Sequence, residues 1–224
     1  MTRGKTYREK RTLIEKESYP ISQAMDLLTK VSRVKFDATA EAHIRIKADT
    51  TEANQLVRTT VNLPHGTGKT VRIAAFVPDE LAKDAKAAGA DIVGNEDLIA
   101  QIEKGKIEFD AAVAVPAVMK KLGKVAKILG QKGLMPNPKA GTVTDNITKT
   151  IGELKKGRIE CKMDTFGIIH VPFGKISFGK EKLEENFTTL MQAITDARPA
   201  GIKGIYISSV TVCPTMGPGI KIQI

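Results

Sequence analysis

The stretch VRIAAFVPDELAKDAKAAGADIV, from Val71 to Val93, places a helical pattern between two short apolar runs. The alternation continues through GNEDLIAQIEKG, FDAAVAV and PAVMKKLGKVAKILG. Strands that alternate with helices are typical of a parallel sheet flanked by helices. We expect Asn95 to cap the second helix and Pro116 to begin the third. The glycines after the three helical patterns are predicted left-handed C-caps: Gly89, Gly105 and Gly130.

The two ends of the chain have a different pattern. Apolar residues recur at helical spacing from Ile21 to Val31, and AEAHIRIKA then alternates as a half-exposed strand. A second helical stripe, from Leu183 to Ile194, precedes the alternating strands IYISSVTV and GIKIQI. Neither end has enough elements to close a core alone. We therefore expect the two ends to fold together.

These patterns predict an α/β protein of two domains. Residues 1–67 and 159–224 would form a discontinuous α+β domain, and residues 68–158 an inserted α/β domain. The segments PHGTGKT and GELKKGR would join the domains, since both are rich in glycine and lysine. Their glycines are the candidate hinge positions: Gly66, Gly68, Gly152 and Gly157.

The charge of the chain favours a polyanionic partner. The sequence has 35 Lys+Arg and 25 Asp+Glu, which gives a formal net charge of +10. No acidic residue occurs from Ala111 to Thr144, so we expect the lysines of this interval to be uncompensated. Four of them fall near one side of the third helix: Lys120, Lys121, Lys124 and Lys127. The loop GQKGLMPNPKAGTV, from Gly130 to Val143, presents further lysine on a glycine-permitted backbone.

A membrane partner is less well supported. The sequence has no apolar run of about twenty residues, and its basic N-terminus lacks the apolar region of a signal peptide. Three early acidic residues argue against an organelle transit peptide: Glu9, Glu15 and Glu17. We therefore expect a soluble, cytoplasmic protein.

The sequence gives no signature of an enzyme. GTGKT, from Gly66 to Thr70, resembles the end of a phosphate-binding loop, but Leu63 stands where that motif has glycine and an apolar strand follows. We expect His43 on a solvated strand face and His170 in an interior or hinge position. The two cysteines, Cys161 and Cys213, lack metal-ligand spacing and are interpreted as reduced thiols. We predict no catalytic residue, no metal and no cofactor.

Two segments are candidates for RNA recognition. Lys35 and Phe36 precede a strand that exposes alternate residues, and an aromatic ring beside a lysine can pack on a sugar or base. A core phenylalanine at the domain edge would give the same pattern. TMGPG, from Thr215 to Gly219, can form a tight turn that brings amides and a hydroxyl to a ribose. A plain hairpin turn is the alternative.

Five blocks of the sequence resemble the ribosomal protein L1 family in its bacterial form. They are GLMPNPKAGTV, LPHGTGK, KFDATAEAHI, GIIHVPFGKISF and TMGPGIKI, and the resemblance extends over almost the whole chain. It implies that the chain ends form an RNA-binding α+β domain and that the middle is an inserted Rossmann-like domain joined by a hinge. It also implies a non-enzymatic protein, located on the large ribosomal subunit in the cytoplasm and monomeric when free.

The resemblance further implies three RNA partners. They are the mobile stalk of 23S rRNA, the deacylated tRNA of the exit site, and the protein's own mRNA, whose translation it would repress. By motif, the rRNA contacts would come from Lys35, Phe36, Thr39, Glu41, His43, Ser209, Thr215, Met216 and Gly217. From its charge, the lysine stripe is a candidate contact to tRNA or to a second rRNA segment, and a solvated helix face is the alternative. We expect the Thr215 hydroxyl to lie on the surface and to contribute little to stability.

Departures from the family pattern are local. Thr59 stands where the family usually has glycine, and Cys213 with Pro214 replaces small hydroxyl residues. Pro214 removes one amide donor beside the predicted RNA face.

Two rival functions stay open. A nucleotide-dependent enzyme would need a phosphate-binding glycine loop where VPDEL follows the first strand, and a general DNA-binding module would need a basic recognition helix.

Overall fold

A computed structural model describes residues 4–52, 54–202 and 204–223. The chain is a mixed α/β protein, as predicted. The elements in chain order are α1 (Lys5–Thr12), α2 (Ile21–Val31), β1 (Thr39–Ile46), β2 (Arg58–Asn62), β3 (Ile73–Phe76), α3 (Ala82–Ala87), β4 (Ile92–Gly94), α4 (Glu96–Glu103), β5 (Ala111–Ala114), α5 (Pro116–Leu122), α6 (Ala126–Gln131), α7 (Ile147–Lys155), β6 (Arg158–Lys162), β7 (Ile168–Lys175), α8 (Gly179–Asp196), β8 (Ile207–Pro214) and β9 (Ile220–Ile222). No helix of these described residues is long and apolar enough to cross a membrane.

The chain divides into two compact units. One contains the chain up to Gly68 together with the chain from Ile159 onward, and the other is Lys69–Arg158. The predicted boundaries differ from this division only in the placement of Gly68. That the two units move as domains about a hinge stays a prediction.

The first unit is built on an antiparallel sheet in the order β7-β1-β8-β9. Along β1 the side chains of Ala42, Ile44 and Ile46 are buried, because alternate residues of a strand point to the same face. That face packs against α2 and α8, whose buried residues include Leu28 and Phe187. The two helices therefore cover one face of the sheet. The opposite face carries partly exposed residues of β1 and β8 and is called the open face below. β2 pairs with β6 as a separate ribbon.

The second unit has a parallel sheet in the order β4-β3-β5. All four residues of β3 are buried, since helices cover both faces. Ala74 and Phe76 pack with α4, α5 and α6, whereas Ile73 and Ala75 pack with α3 and α7. The lysine-bearing loop ends beside β5, where the amide of Ala114 donates to the carbonyl of Thr142 over 2.9 Å. The end of the loop is therefore hydrogen-bonded to the edge strand of the parallel sheet.

Several local predictions about the second unit are confirmed and others are wrong. Pro116 begins α5, and the C-capping glycines Gly89 and Gly105 have φ of 98° and 82°. Gly130 is no C-cap, because α6 continues to Gln131 and Gly133 takes the positive φ of 70°. The amide of Leu134 then donates to the carbonyl of Leu129, which closes this helix end.

The second and third helices also differ from expectation. Asn95 precedes α4, but its side chain makes no capping bond, because its φ of −124° and ψ of −101° lie outside the extended region that caps adopt. The third helical pattern forms two helices, α5 and α6, separated by a 3-10 turn at Gly123–Val125. Glycine is a weak helix former, which fits this interruption.

The predicted hinge glycines fall in different environments. Gly66, Gly68 and Gly157 have positive φ, in keeping with turns that glycine permits. Gly152 was expected in a connecting segment, but it lies inside α7. Gly68 is also closely packed, since a Cβ atom there would lie 2.9 Å from Cζ of Phe178.

Candidate nucleic-acid interface

The open face of the antiparallel sheet carries the polar residues predicted on β1. Thr39, Glu41 and His43 are half-buried on this face, and their alternation with buried residues places them there. On β8, Ser209 pairs with Arg45 and Cys213 pairs with Glu41. Cross-strand neighbours on one face of a sheet contact each other. The structure therefore brings Thr39, Glu41 and His43 from one chain end and Ser209 from the other onto one face of the sheet.

Thr215 is fixed between the two strands. Its amide donates to the carbonyl of Thr39 over 2.9 Å, and the amide of Thr39 donates back to the Thr215 hydroxyl over 3.2 Å. The hydroxyl in turn donates to a carboxylate oxygen of Glu41 over 2.9 Å. The hydroxyl and the carboxylate are thus held in place before any ligand binds. The hydroxyl is partly buried and hydrogen-bonded, whereas the sequence suggested a surface group, and its contribution to stability stays a prediction.

The turn after β8 holds Met216 in an unusual conformation. The amide of Gly217 donates to the carbonyl of Pro214 over 2.8 Å, which closes the turn. Met216 has φ of 64°, a left-handed backbone that costs roughly 1–2 kcal/mol for a residue with a side chain. The Nε of Arg33 donates to the Met216 carbonyl over 2.7 Å, and Met216 is 63% exposed. The strained turn presents an apolar group to solvent.

Phe36 also faces solvent, with 58% of its surface exposed. The alternative of a core phenylalanine is therefore wrong. Lys35 beside it is exposed as well. Lys175, which the sequence did not single out, donates its ammonium group to the Thr39 hydroxyl over 3.0 Å and to the carbonyl of Asp37 over 3.2 Å. A second positive charge thus lies at the start of β1.

His170 is not an interior residue. It lies on β7 directly opposite His43, and its side chain is 52% exposed because its neighbours Ile169 and Val171 take the buried face. The Nδ1 atoms of the two histidines are 2.7 Å apart. Burial lowers the pKa of His43, the charge of His170 lowers it further, and Glu41 opposes both effects.

Two further groups contact this histidine pair. The Nε2 atom of His43 lies 3.2 Å from the sulfur of Cys213, and the Nε2 atom of His170 lies 3.4 Å from a carboxylate oxygen of Asp164. Burial raises the pKa of the Cys213 thiol to about 11. The amide of Ile168 is the main cause that lowers the pKa of Asp164.

A shallow cleft of about 440 Å³ adjoins this surface. Its lining includes Tyr7, Arg33, His43, Thr211 and Met216. The Arg33 guanidinium lies 5.7 Å from the centre of the Tyr7 ring, a distance typical of a cation–π contact. An aromatic ring, a guanidinium and an exposed thioether can together hold a base and a phosphate. Tyr7 and Arg33 were missed because they lie outside the strand and turn that suggested the interface.

The lysine stripe belongs to the second unit. All four of its lysines are exposed. The ammonium group of Lys121 lies 2.8 Å from a carboxylate oxygen of Glu96, so the expectation of uncompensated charge is wrong for this lysine. Lys124 also contributes to lowering the pKa of Glu96. Glu96 is distant in sequence, which is why the acid-free interval did not reveal the pair.

The sequence matches a known protein family. The model of the Ribosomal protein L1p/L10e family matches residues 28–218, which is most of the chain. The matched range contains β1, β8 and the turn at Met216. It therefore includes the residues of β1, β8 and the turn described above, and Arg33 of the cleft, but not Tyr7.

Proposed function

Because the chain belongs to the Ribosomal protein L1p/L10e family, we propose that the open face of its antiparallel sheet binds the stalk of large-subunit rRNA. As a member of this family, the chain is an rRNA-binding protein of the large ribosomal subunit in the cytoplasm, with a structural rather than an enzymatic role. The observation that carries the proposal is the Thr215 hydroxyl, held between Thr39 and Glu41 beside the exposed Met216.

The contacts follow from the chemistry of the surface. Phe36 and Met216 offer exposed apolar groups that can pack on a base or ribose. Glu41 can accept a hydrogen bond from a 2′-hydroxyl, and Lys35 can neutralise a phosphate. Since the Thr215 hydroxyl and the Met216 backbone are already held by hydrogen bonds, the turn loses little conformational freedom when RNA binds. Such a surface recognises the shape of a folded RNA.

A competition binding assay tests this proposal. The full chain is titrated with a labelled stalk RNA fragment at moderate salt, and unlabelled duplex DNA of equal length is the competitor. We expect stalk RNA to bind at least about tenfold more tightly than the duplex, because 2′-hydroxyl contacts are absent from DNA. Equal affinities would instead support a general nucleic-acid-binding protein and would refute the proposed site.

The same surface suits a second RNA target. We propose that the protein represses translation of its own mRNA, because an mRNA segment that copies the shape of the stalk would meet the same contacts. The expected result is that an mRNA leader fragment competes with stalk RNA and that Thr215→Ala weakens both to the same extent. An mRNA that binds without competing would refute a shared site.

We further propose that the second unit assists the release of deacylated tRNA from the exit site. The support is the exposed positive charge of Lys120, Lys124 and Lys127, which suits a phosphate backbone. A nucleotide-dependent reaction in this unit is disfavoured. Val77 and Pro78 follow β3, and then a 3-10 turn begins with Asp79 and Glu80, whose charges repel phosphate.

A further inference from the structure

Three potential metal ligands meet on the open face of the sheet. One ligand atom from each of Glu41, His43 and Cys213 lies within 4.8 Å of the other two. The strand register explains this arrangement, since Glu41 pairs with Cys213 across β1 and β8, and His43 follows two residues later on the same face. His43 and Cys213 are 170 residues apart, so no sequence spacing could indicate the cluster.

We propose that Glu41, His43 and Cys213 form a zinc site. A carboxylate oxygen, an imidazole nitrogen and a thiolate sulfur are the ligand types that zinc takes in proteins. The Nε2 atom of His43 lies 3.2 Å from the Cys213 sulfur, whereas two such ligands of one tetrahedral zinc ion are about 3.5 Å apart. A shift of a few tenths of an ångström therefore suffices for both atoms to bind one ion.

The neighbouring groups orient the ligands. His43 can donate from Nδ1 to Nδ1 of His170, which can then donate from its Nε2 to Asp164. This proton arrangement leaves the lone pair of His43 Nε2 directed toward Cys213. The Thr215 hydroxyl donates a hydrogen bond to a carboxylate oxygen of Glu41 and so fixes the orientation of that ligand. A partner behind each ligand is typical of zinc sites, where such partners fix the ligand's orientation.

The charge balance also suits a divalent ion. When zinc binds, the Cys213 thiol loses its proton to solvent and a bond forms between sulfur and metal. The carboxylate of Glu41 and the new thiolate then supply two negative charges against the two positive charges of zinc, with His43 neutral. The thiolate and the imidazole favour zinc over magnesium or calcium, which prefer oxygen. Because the face is open, solvent can occupy the fourth position.

Cobalt titration of the full chain tests the site. Co²⁺ replaces zinc with similar geometry, and its visible bands report tetrahedral coordination while a near-ultraviolet band reports a thiolate ligand. We expect one Co²⁺ per chain with both signals, one proton released, and displacement by Zn²⁺. Cys213→Ser should abolish the thiolate band and weaken Zn²⁺ binding at least about tenfold. Cys161→Ser, which changes the other thiol, is the matched control and should keep the band.

Two results would overturn the proposal. One is a thiolate band that persists in Cys213→Ser, and the other is wild-type protein that gives no tetrahedral cobalt spectrum. Asp164→Asn is a second variant that leaves all three ligands in place. It should keep the thiolate band and weaken Zn²⁺ binding about 10- to 100-fold, because the amides of Phe166 and Ile168 hold Oδ1 in place and the new amide nitrogen then replaces the oxygen that faces His170. Unchanged affinity would refute the orienting role. These titrations contain no RNA, so their results do not depend on the rRNA-binding proposal.

Discussion

The Thr215 hydroxyl lies 2.9 Å from a carboxylate oxygen of Glu41, although the two residues are 174 positions apart in the sequence. The same hydroxyl accepts the amide of Thr39, so the turn after β8 is tied to the first residue of β1. A single side chain therefore links the two chain ends at the surface that we propose for RNA. Its replacement should lower both the free energy of unfolding and the affinity for RNA.

Replacing Thr215 by alanine should weaken binding of stalk RNA. The loss is about 1–3 kcal/mol, because a hydroxyl shielded from water in the complex is removed and Glu41 loses its orientation. The free energy of unfolding should also fall by about 1 kcal/mol, since the amide of Thr39 loses its acceptor. Filter binding and urea denaturation measure the two effects.

Thr195→Ala is the matched control for this variant. The Thr195 hydroxyl donates to the carbonyl of Met191 within α8, on the helix that covers the opposite face of the sheet. Its removal should leave RNA affinity unchanged. If Thr215→Ala binds stalk RNA as tightly as Thr195→Ala does, the turn after β8 is not part of the interface.

Gly217→Ala should disrupt the turn itself. A Cβ atom at this position would lie 2.9 Å from Cδ of Pro214, closer than real side chains approach. The turn must shift, so the contact between Arg33 and the Met216 carbonyl is lost and RNA affinity falls at least about tenfold. Gly130→Ala is the control, because a Cβ atom there meets nothing within 4 Å. Equal RNA affinity of the two variants would contradict the role of the turn.

Much of the fold could be predicted because burial is periodic along the chain. Ile44 and Ile46 alternate with polar residues on β1, and the four apolar residues of β3 mark a strand covered on both faces. Helix ends were harder to predict. Gly130 and Gly133 both lie at the end of the third helical pattern of the second unit. Only the hydrogen bond from the amide of Leu134 to the carbonyl of Leu129 shows which glycine takes the left-handed conformation.

The interface was harder to predict than the fold because it depends on strand register. The alternation of β1 placed His43 on the open face, but nothing in the sequence indicated that His170 and Cys213 lie beside it. The contact of Lys175 with Thr39 joins residues 136 positions apart. Pairs of this kind become visible only when the order and register of the strands are known.

Charge reversal of the lysine stripe should separate tRNA release from stalk binding. The variant changes Lys120, Lys124 and Lys127 to glutamate, and Lys121 is kept because it pairs with Glu96. We expect affinity for isolated stalk RNA to stay within about twofold of wild type, because these lysines lie outside the proposed interface. Departure of labelled deacylated tRNA from reconstituted ribosomes should slow.

The control for the stripe carries the same change of charge elsewhere in the unit. Three other exposed lysines are changed to glutamate: Lys83, Lys86 and Lys104. This variant should release tRNA at the wild-type rate. A slow rate in both variants would assign the effect to net charge rather than to the stripe.

Asp110 should make the stability of the chain sensitive to acid. The hydrogen bond from Lys69 lowers the pKa of Asp110 below its ordinary value of 3.8, and the amide of Arg72 adds to this effect. A lowered pKa means that the stabilisation is present above about pH 4 and is lost as the pH falls through the folded value. Asp110→Asn should therefore be less stable than wild type in urea at neutral pH, and the difference should shrink toward about pH 2. A difference that is constant with pH would exclude the charge as its source.

Lys35 should contribute to RNA binding through its charge alone, in contrast to Thr215. Each phosphate contact that is lost makes the slope of log affinity against log salt shallower by about 0.7–0.9. We therefore expect Lys35→Gln to bind stalk RNA more weakly at low salt with a slope shallower by up to about one unit, whereas Thr215→Ala keeps the wild-type slope. Lys182→Gln removes an exposed lysine from α8 and should change neither quantity. If Lys35→Gln has the slope of the Lys182 control, Lys35 contacts no phosphate, and the positive charge at the start of β1 that binds RNA would be that of Lys175.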